Sequence, residues 1–391
     1  FLYFIGMSLA PYVVSIVALL LGSTAWAAPP ENWGRQVIAF QVNKSNWRSY
    51  HWDTLTTLVL YDGLDPAMLP VAAANGVTLA WPATFSTALL SANATAQEAW
   101  IREQVDRVVT TNTSGINVDY ESPIARDSPL VAALASLMLR LGDSLRRAVI
   151  AAGRTPHYSI DVAWRAGGID GRWYDYAALG AIFDLTVIMD YDTRSQVFLR
   201  DGAACTAGAN APRSTVVDGI ASYLALGIPR SKLVLGTPWY GYDYPCTGGA
   251  VTSDPSVAGA ECVIAEVPFR GCNCSDAAGR QHDLRILDAW LANSTSNQRR
   301  VSPIVVNGTT LAVTWNYVDA ATNAVHQVWY DDASTLGAKY GIAAELGLAG
   351  VSMWNVDSIV PTTAAADTPA SVTSSMRAVW SALRMYLRGQ P

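Results

Sequence analysis

Eight short apolar runs recur along this chain, most of them separated by stretches with helical periodicity. They lie at 37–42 (VIAFQV), 57–61 (TLVLY), 77–82 (VTLAWP), 115–121 (GINVDYE), 158–164 (YSIDVAW), 185–191 (LTVIMDY), 233–239 (LVLGTPW) and 349–354 (AGVSMW). Runs this short and this apolar suit strands buried on both faces. Between them, 97–110 places Ile101, Val105, Val108 and Val109 at helical spacing, and 130–149, 214–226 and 373–388 read as further helices, the last after a Thr/Ala-rich linker. Eight strand-then-helix units predict the α/β class and a (β/α)8 TIM barrel. A doubly wound open sheet is the alternative, but no Gly-rich phosphate loop follows the first run. The spacing breaks once. About a quarter of the chain separates the seventh and eighth runs, and within it 311–332 has two strand-like runs around a turn-like centre. A β-rich insertion over about 241–335 is expected there, decorating the barrel mouth.

The N-terminus reads as a targeting signal. Residues 8–22 are apolar, and Ala25-Trp26-Ala27 has the small-x-small pattern of a cleavage site, which predicts a secretory signal peptide over 1–27 and a catalytic barrel over 28–391. No stable membrane association is expected after cleavage. Sequons begin at Asn43, Asn93, Asn112, Asn273, Asn293 and Asn307, of which Asn112, almost on the fourth run, is the least suited to carry a glycan. All five cysteines fall between residues 200 and 280, the clustering of disulfides that pin long loops. Loop order suggests Cys246–Cys262 and Cys205–Cys274, with Cys272 free. The location implied is the secretory pathway, lysosomal or extracellular. A net charge of −6 speaks against nucleic acid as partner, because phosphate binding needs a basic face and the sequence has no block of like charges. Four scattered His offer no metal site, and no metal or organic cofactor is implied. Fourteen Trp and seventeen Tyr are many for 391 residues and admit a ring-lined cleft.

In a (β/α)8 barrel the active site lies at the C-terminal ends of the strands. Polar and aromatic residues stand at those ends here: Glu121, Trp164, Tyr191 and Asp192, Trp239 and Tyr240, Trp354 and Asn355. On the fourth run Asn117, Asp119 and Glu121 alternate, so they share one face of the strand. Burying an unpaired carboxylate is costly, so one of the acids is expected to be protonated or hydrogen-bonded. Glu121, nearest the mouth, is the natural general acid, and Asp119, deeper, orients a neighbour or holds a proton on it.

The stretch "GINVDYE" resembles the Asp-Gly-x-Asp-x-Asp-x-Glu signature of the family 18 glycoside hydrolases, the chitinase group, and specifically the branch with Asn at the middle position, as Asn117 is here. "GTPWYGYDYPC" (236–246), "VPFRGCNCSDAAGRQ" (267–281), "HQVWYDD" (326–332) and "GVSMWN" (350–355) support the resemblance. It implies substrate-assisted, retaining hydrolysis of N-acetylglucosamine oligosaccharides, without a protein nucleophile. Glu121 matches the acid, Asp119 the acetamido partner and Tyr191 the residue that orients the acetamido oxygen. Asp192 matches a sugar contact and Trp354 the floor of the site. Asn117, Trp239 and Tyr240 complete the expected substrate-binding set. An exo-acting enzyme on chitobiose, small chitooligosaccharides or the N-glycan core is expected. An endo-acting chitinase and a non-catalytic chitin-binding lectin are the alternatives. Ser114 departs from the signature's first Asp, which predicts that Asp119 lacks an inner carboxylate neighbour and stays ionised.

Overall fold

The computed structural model describes residues 35–198, 202–292, 297–360 and 370–389. The signal segment at 1–27, the Asn293 sequon and the linker at 361–369 lie outside the described residues. Eight parallel strands close a barrel: β1 (Gln36–Gln41), β2 (Thr57–Leu60), β3 (Thr78–Ala83), β4 (Gly115–Asp119), β5 (His157–Val162), β6 (Leu185–Ile188), β7 (Leu233–Pro238) and, last in the chain, β14 (Gly350–Trp354). β1 pairs with both β2 and β14, which closes the ring and excludes the doubly wound alternative.

The barrel is filled by Ile38, Phe40, Val59, Ala80, Val187 and Val234, while the outward side chains join a larger core beneath the helices. This double burial is why the strand runs are continuously apolar. The helix Leu130–Ala151 buries Leu134, Leu137, Met138, Leu141, Leu145 and Val149, one stripe at helical spacing. The helix Ala94–Thr110 starts where the Asn93 side chain accepts from the Ala96 N–H. It buries Ile101, Val105 and Val108, but Val109 is exposed, because adjacent helical residues point about 100° apart and Val108 already takes the inward position.

Between β7 and β14 the chain builds a second sheet from β8 (Tyr240–Pro245), β9 (Arg280–Asp283), β10 (Gln298–Arg300), β11 (Val305–Asn307), β12 (Ala312–Asp319) and β13 (Val325–Tyr330). Its central pairs are antiparallel. Disulfides Cys205–Cys274 and Cys246–Cys262 pin its loops, the pairing that loop order suggests, and Cys272 is free and buried. Asn112 sits in an exposed turn before β4 with φ of 55°, so burial gives no reason to set it apart from the other sequons. Among the described residues no helix is long and apolar enough to cross a membrane, and no group of His, Cys, Asp and Glu is arranged to hold a metal.

Candidate active site

A cavity of about 270 Å³ opens at the C-terminal ends of the strands. Asp119, Glu121, Tyr191, Asp192 and Trp354 line it, together with Tyr61, Asp161, Trp164, Asp170, Arg172, Ser195 and Asp276. β4 ends at Asp119, so Glu121 stands just past the strand with its side chain about half exposed. Two contacts fix that turn. The Tyr174 hydroxyl donates to the carbonyls of Tyr120 and Ser122. Ile124 bridges to Arg172, bringing the segment after β5 alongside the segment after β4.

That bridge delivers Arg172, only 7 % exposed, to the acid. Its Nη1 lies 2.9 Å from Glu121 Oε2, an ion pair although not aligned as a hydrogen bond. Its Nη2 donates to Asp170 Oδ2 at 2.7 Å, and Ser195 Oγ donates to Asp170 Oδ1 at 2.8 Å. Asp119 sits deeper, where its Oδ2 accepts from the Tyr61 hydroxyl at 2.9 Å. Burial first, then the Glu121 carboxylate, push the Asp119 carboxyl up to about 6, against the pull of Tyr61 and Arg172. Burial, reinforced by Asp119, also raises Asp161 well above the carboxylate range.

Tyr191 fits because Gly236 on β7 leaves room: a Cβ there would lie 3.2 Å from the Tyr191 ring and 2.5 Å from the Ile188 carbonyl oxygen. Trp354 forms a floor against Tyr61, edge-on at 5.3 Å, and Phe40 at 5.6 Å. Asp192 Oδ1 accepts from the hydroxyls of Tyr240 at 2.6 Å and Tyr242 at 2.8 Å. Burial raises the Asp192 carboxyl, and the two phenols pull it back.

Three expected substrate contacts are corrected. Trp239 is 0 % exposed and faces away from the cavity, its Nε1 donating to the Tyr340 hydroxyl and its ring edge-on to Trp380. It lies between β7 and β8, where alternation turns it outward into the helix layer. Tyr240 is buried and acts on Asp192 instead of lining the cavity. Asn117 is 0 % exposed beneath the site, donating to Ser159 Oγ and Asp161 Oδ1, both at 3.0 Å. The Ser114 expectation fails as well. Asp119 does have an inner carboxylate neighbour, but it is Asp161, its direct partner across the β4–β5 pairing. A signature read along one strand cannot show an acid contributed by the next.

Asp161 had a sequence signal, an acid inside an apolar strand run, and Tyr61 closes the second run. Asp170, Arg172 and Asp276 had none, since they lie on loops that only the fold brings to the mouth. Asp276 comes from the second-sheet insertion, and its backbone N–H donates to the Arg194 carbonyl. Burial, then Asp192 and Asp170, raise its carboxyl to about 7.

The family of the chain follows from its similarity to known proteins. The family model described as "Glycosyl hydrolases family 18" matches residues 79–358, from β3 through the turn after β14. The chain belongs to glycosyl hydrolases family 18. It is therefore a glycoside hydrolase. Its relatives include "Probable di-N-acetylchitobiase 2" of Dictyostelium discoideum, 39% identical over 83% of this chain and 81% of the relative. "Di-N-acetylchitobiase" of Rattus norvegicus is 33% identical over 82% of each. Among solved structures, a class V chitinase mutant of Cycas revoluta in complex with (GlcNAc)3 superposes with a TM-score of 0.64 at 18% identity, covering 88% of this chain and 99% of that one. That likeness is one of fold. Relatives of this identity and coverage agree with the family assignment, and Glu121 stands at the mouth of the cavity.

Proposed function

We propose that this family 18 enzyme is an exo-acting glycosidase that hydrolyses β-1,4-linked N-acetylglucosamine in chitobiose, small chitooligosaccharides and the N-glycan core. The reaction is substrate-assisted and retaining, through an oxazolinium intermediate. One observation carries this reading: Glu121 is the exposed carboxyl at the mouth, and the other cavity acids are occupied or held up. Asp119 is bonded to Tyr61, Asp161 to Asn117, Asp170 to Arg172 and Ser195, and Asp192 to two phenols. Asp276, raised to about 7, is neutral in an acidic compartment. As in the substrate-assisted families of glycoside hydrolases, the substrate's own acetamido oxygen takes the nucleophile's role.

Glu121 donates its proton to the glycosidic oxygen as the bond breaks, and its carboxylate then takes a proton from the incoming water. Asp119 accepts the acetamido N–H, and its negative charge offsets the positive charge that develops on the oxazolinium ring. The Tyr191 hydroxyl orients the acetamido oxygen, and Trp354 offers a flat apolar face to the sugar ring. Asp276, from the insertion, lines the cavity wall, which supports release of single sugars over internal cuts. The two disulfides support an oxidising location in the secretory pathway, lysosomal or extracellular.

Hydrolysis of reducing-end-labelled chitotriose between pH 4 and 7 tests the reading. Release of the labelled single sugar is expected, with retained configuration at the new reducing end of the chitobiose left behind. Internal cuts on longer oligomers point instead to an endo-acting chitinase, and oligomer binding without turnover to a lectin. Glu121→Gln is expected to lower kcat by about 10²–10⁴-fold while oligosaccharide binding persists.

A further inference from the structure

Three carboxyl groups succeed one another from the mouth into the barrel, and among the described residues only the outermost is in an ion pair. Glu121 is paired with Arg172. Asp119 lies two residues back on the same face. Asp161 opposes Asp119 across the β4–β5 pairing and lines the cavity while only 3 % exposed.

The groups around Asp161 come from every neighbouring element. From β4, Asp119 presses on it by charge, and the Asn117 amide donates to its Oδ1 at 3.0 Å. Glu121 acts on it from the turn beyond. Tyr61 after β2 and Tyr191 after β6 both have hydroxyls that sense its charge. On its own strand, Ser159 Oγ accepts from the same Asn117 amide and lies 2.9 Å from His157 Nε2. Burial pushes His157 down to about 4, so that ring is neutral. The charged groups that act on Asp161 most strongly are two other acids, Asp119 and then Glu121.

Two adjacent buried carboxyls without a cation between them do not both ionise; they hold one proton as a pair. The Asn117 amide nitrogen only donates, so it occupies an acceptor oxygen of Asp161 and leaves the other oxygen to carry or release a proton. Asn at position 117 suits this arrangement, since a third acid beneath the pair would add repulsion without a counter-charge.

We propose that Asp161 is a positioning residue that shares a single proton with Asp119 and thereby sets when Asp119 is ionised to meet the substrate. The proton moves between two carboxyl oxygens, and the pair keeps one negative charge throughout. With the proton on Asp161, Asp119 is the anion that accepts the acetamido N–H. With the proton on Asp119, that acceptor is lost. The inference rests on the reading of Asp119 as the acetamido partner.

Carboxyl 13C NMR of aspartate-labelled enzyme, titrated from pH 3 to 9, tests it without needing turnover. Asp119 and Asp161 are expected to titrate together in two separated steps, and D161N to collapse them to one. With chitobiose, D161N is expected to lower kcat/KM about tenfold or more and to move the acid limb of its pH profile. N117D/D161N returns the acid to the next strand and is expected to recover most of that loss. Independent one-step titrations of the two groups in the wild-type enzyme overturn the proposal, as does an Asp119 titration unmoved by D161N. A swap variant as impaired as D161N also overturns it. A wild-type enzyme inactive on chitobiose sinks the functional reading instead, and the titration still judges the pair.

Discussion

Tyr61 and Arg172 are two side chains through which the surroundings act on Asp119 and Glu121. The Tyr61 hydroxyl bonds the ionised form of Asp119 and pulls its carboxyl down against burial. Tyr61→Phe removes that bond, so Asp119 holds its proton to higher pH. The acid limb of kcat/KM on chitobiose is expected to move upward, with a loss of about tenfold near pH 5. Arg172 serves two carboxylates at once, at 2.9 Å and 2.7 Å. Arg172→Met leaves Asp170 buried without its counter-ion and is expected to destabilise the protein by about 3 kcal/mol or more, read by chemical denaturation. Alternation along β4 made Asp119 and Glu121 legible in the sequence. It misassigned Asn117, because the same alternation that put all three on one face put Asn117 too deep to touch a ligand.

The insertion between β7 and β14 is the element that turns an ordinary barrel mouth into this cavity. It carries Tyr240 and Tyr242 to Asp192, and Asp276 into the wall. Two disulfides hold its loops, with sequence separations of 69 and 16. By loop-closure entropy, C246S/C262S is expected to cost about 3 kcal/mol and C205S/C274S about 4 kcal/mol. The second pair joins the segment after β6 to the one that carries Asp276. Hydrogen exchange in C205S/C274S is therefore expected to rise in 202–208 and 267–276 while β4 and β5 stay protected, with a raised KM for chitobiose. Unchanged exchange in both segments would show that the second sheet holds Asp276 without the bridge. The insertion's existence was visible as a break in the strand spacing. The segment that brings Asp276 to the cavity was not, since it has no periodicity of its own and takes its shape from Cys274 and from contacts with Arg194.

Across the whole molecule, buried acids and buried histidines pull stability in opposite directions with pH. Asp119 and Asp288 are raised to about 6 and Asp276 to about 7, each chiefly by burial. Above the ordinary carboxylate range the folded chain still holds these protons while the unfolded chain has released them, so stability falls as pH rises toward those values. His157, lowered to about 4 by burial, has released a proton that the unfolded chain keeps until about 6.5, so its contribution rises with pH over that interval. Above about 6.5 the histidine contribution is complete and the acids alone set the slope. Thermal scans are expected to show Tm falling by a few degrees between pH 6.5 and 7.5, and Asp276→Asn to flatten that fall; an unchanged slope in the variant would assign it to other groups. By itself the sequence determined the barrel, the place of the second sheet and the acid at the mouth, because each follows from periodicity and spacing along the chain. Only the tertiary structure decided which groups surround that acid. Arg172, Asp161 and Asp276 reach it from three separate segments, and Trp239 turns away from it, because the closed sheet brings together residues that are far apart in the chain and fixes which way each one faces.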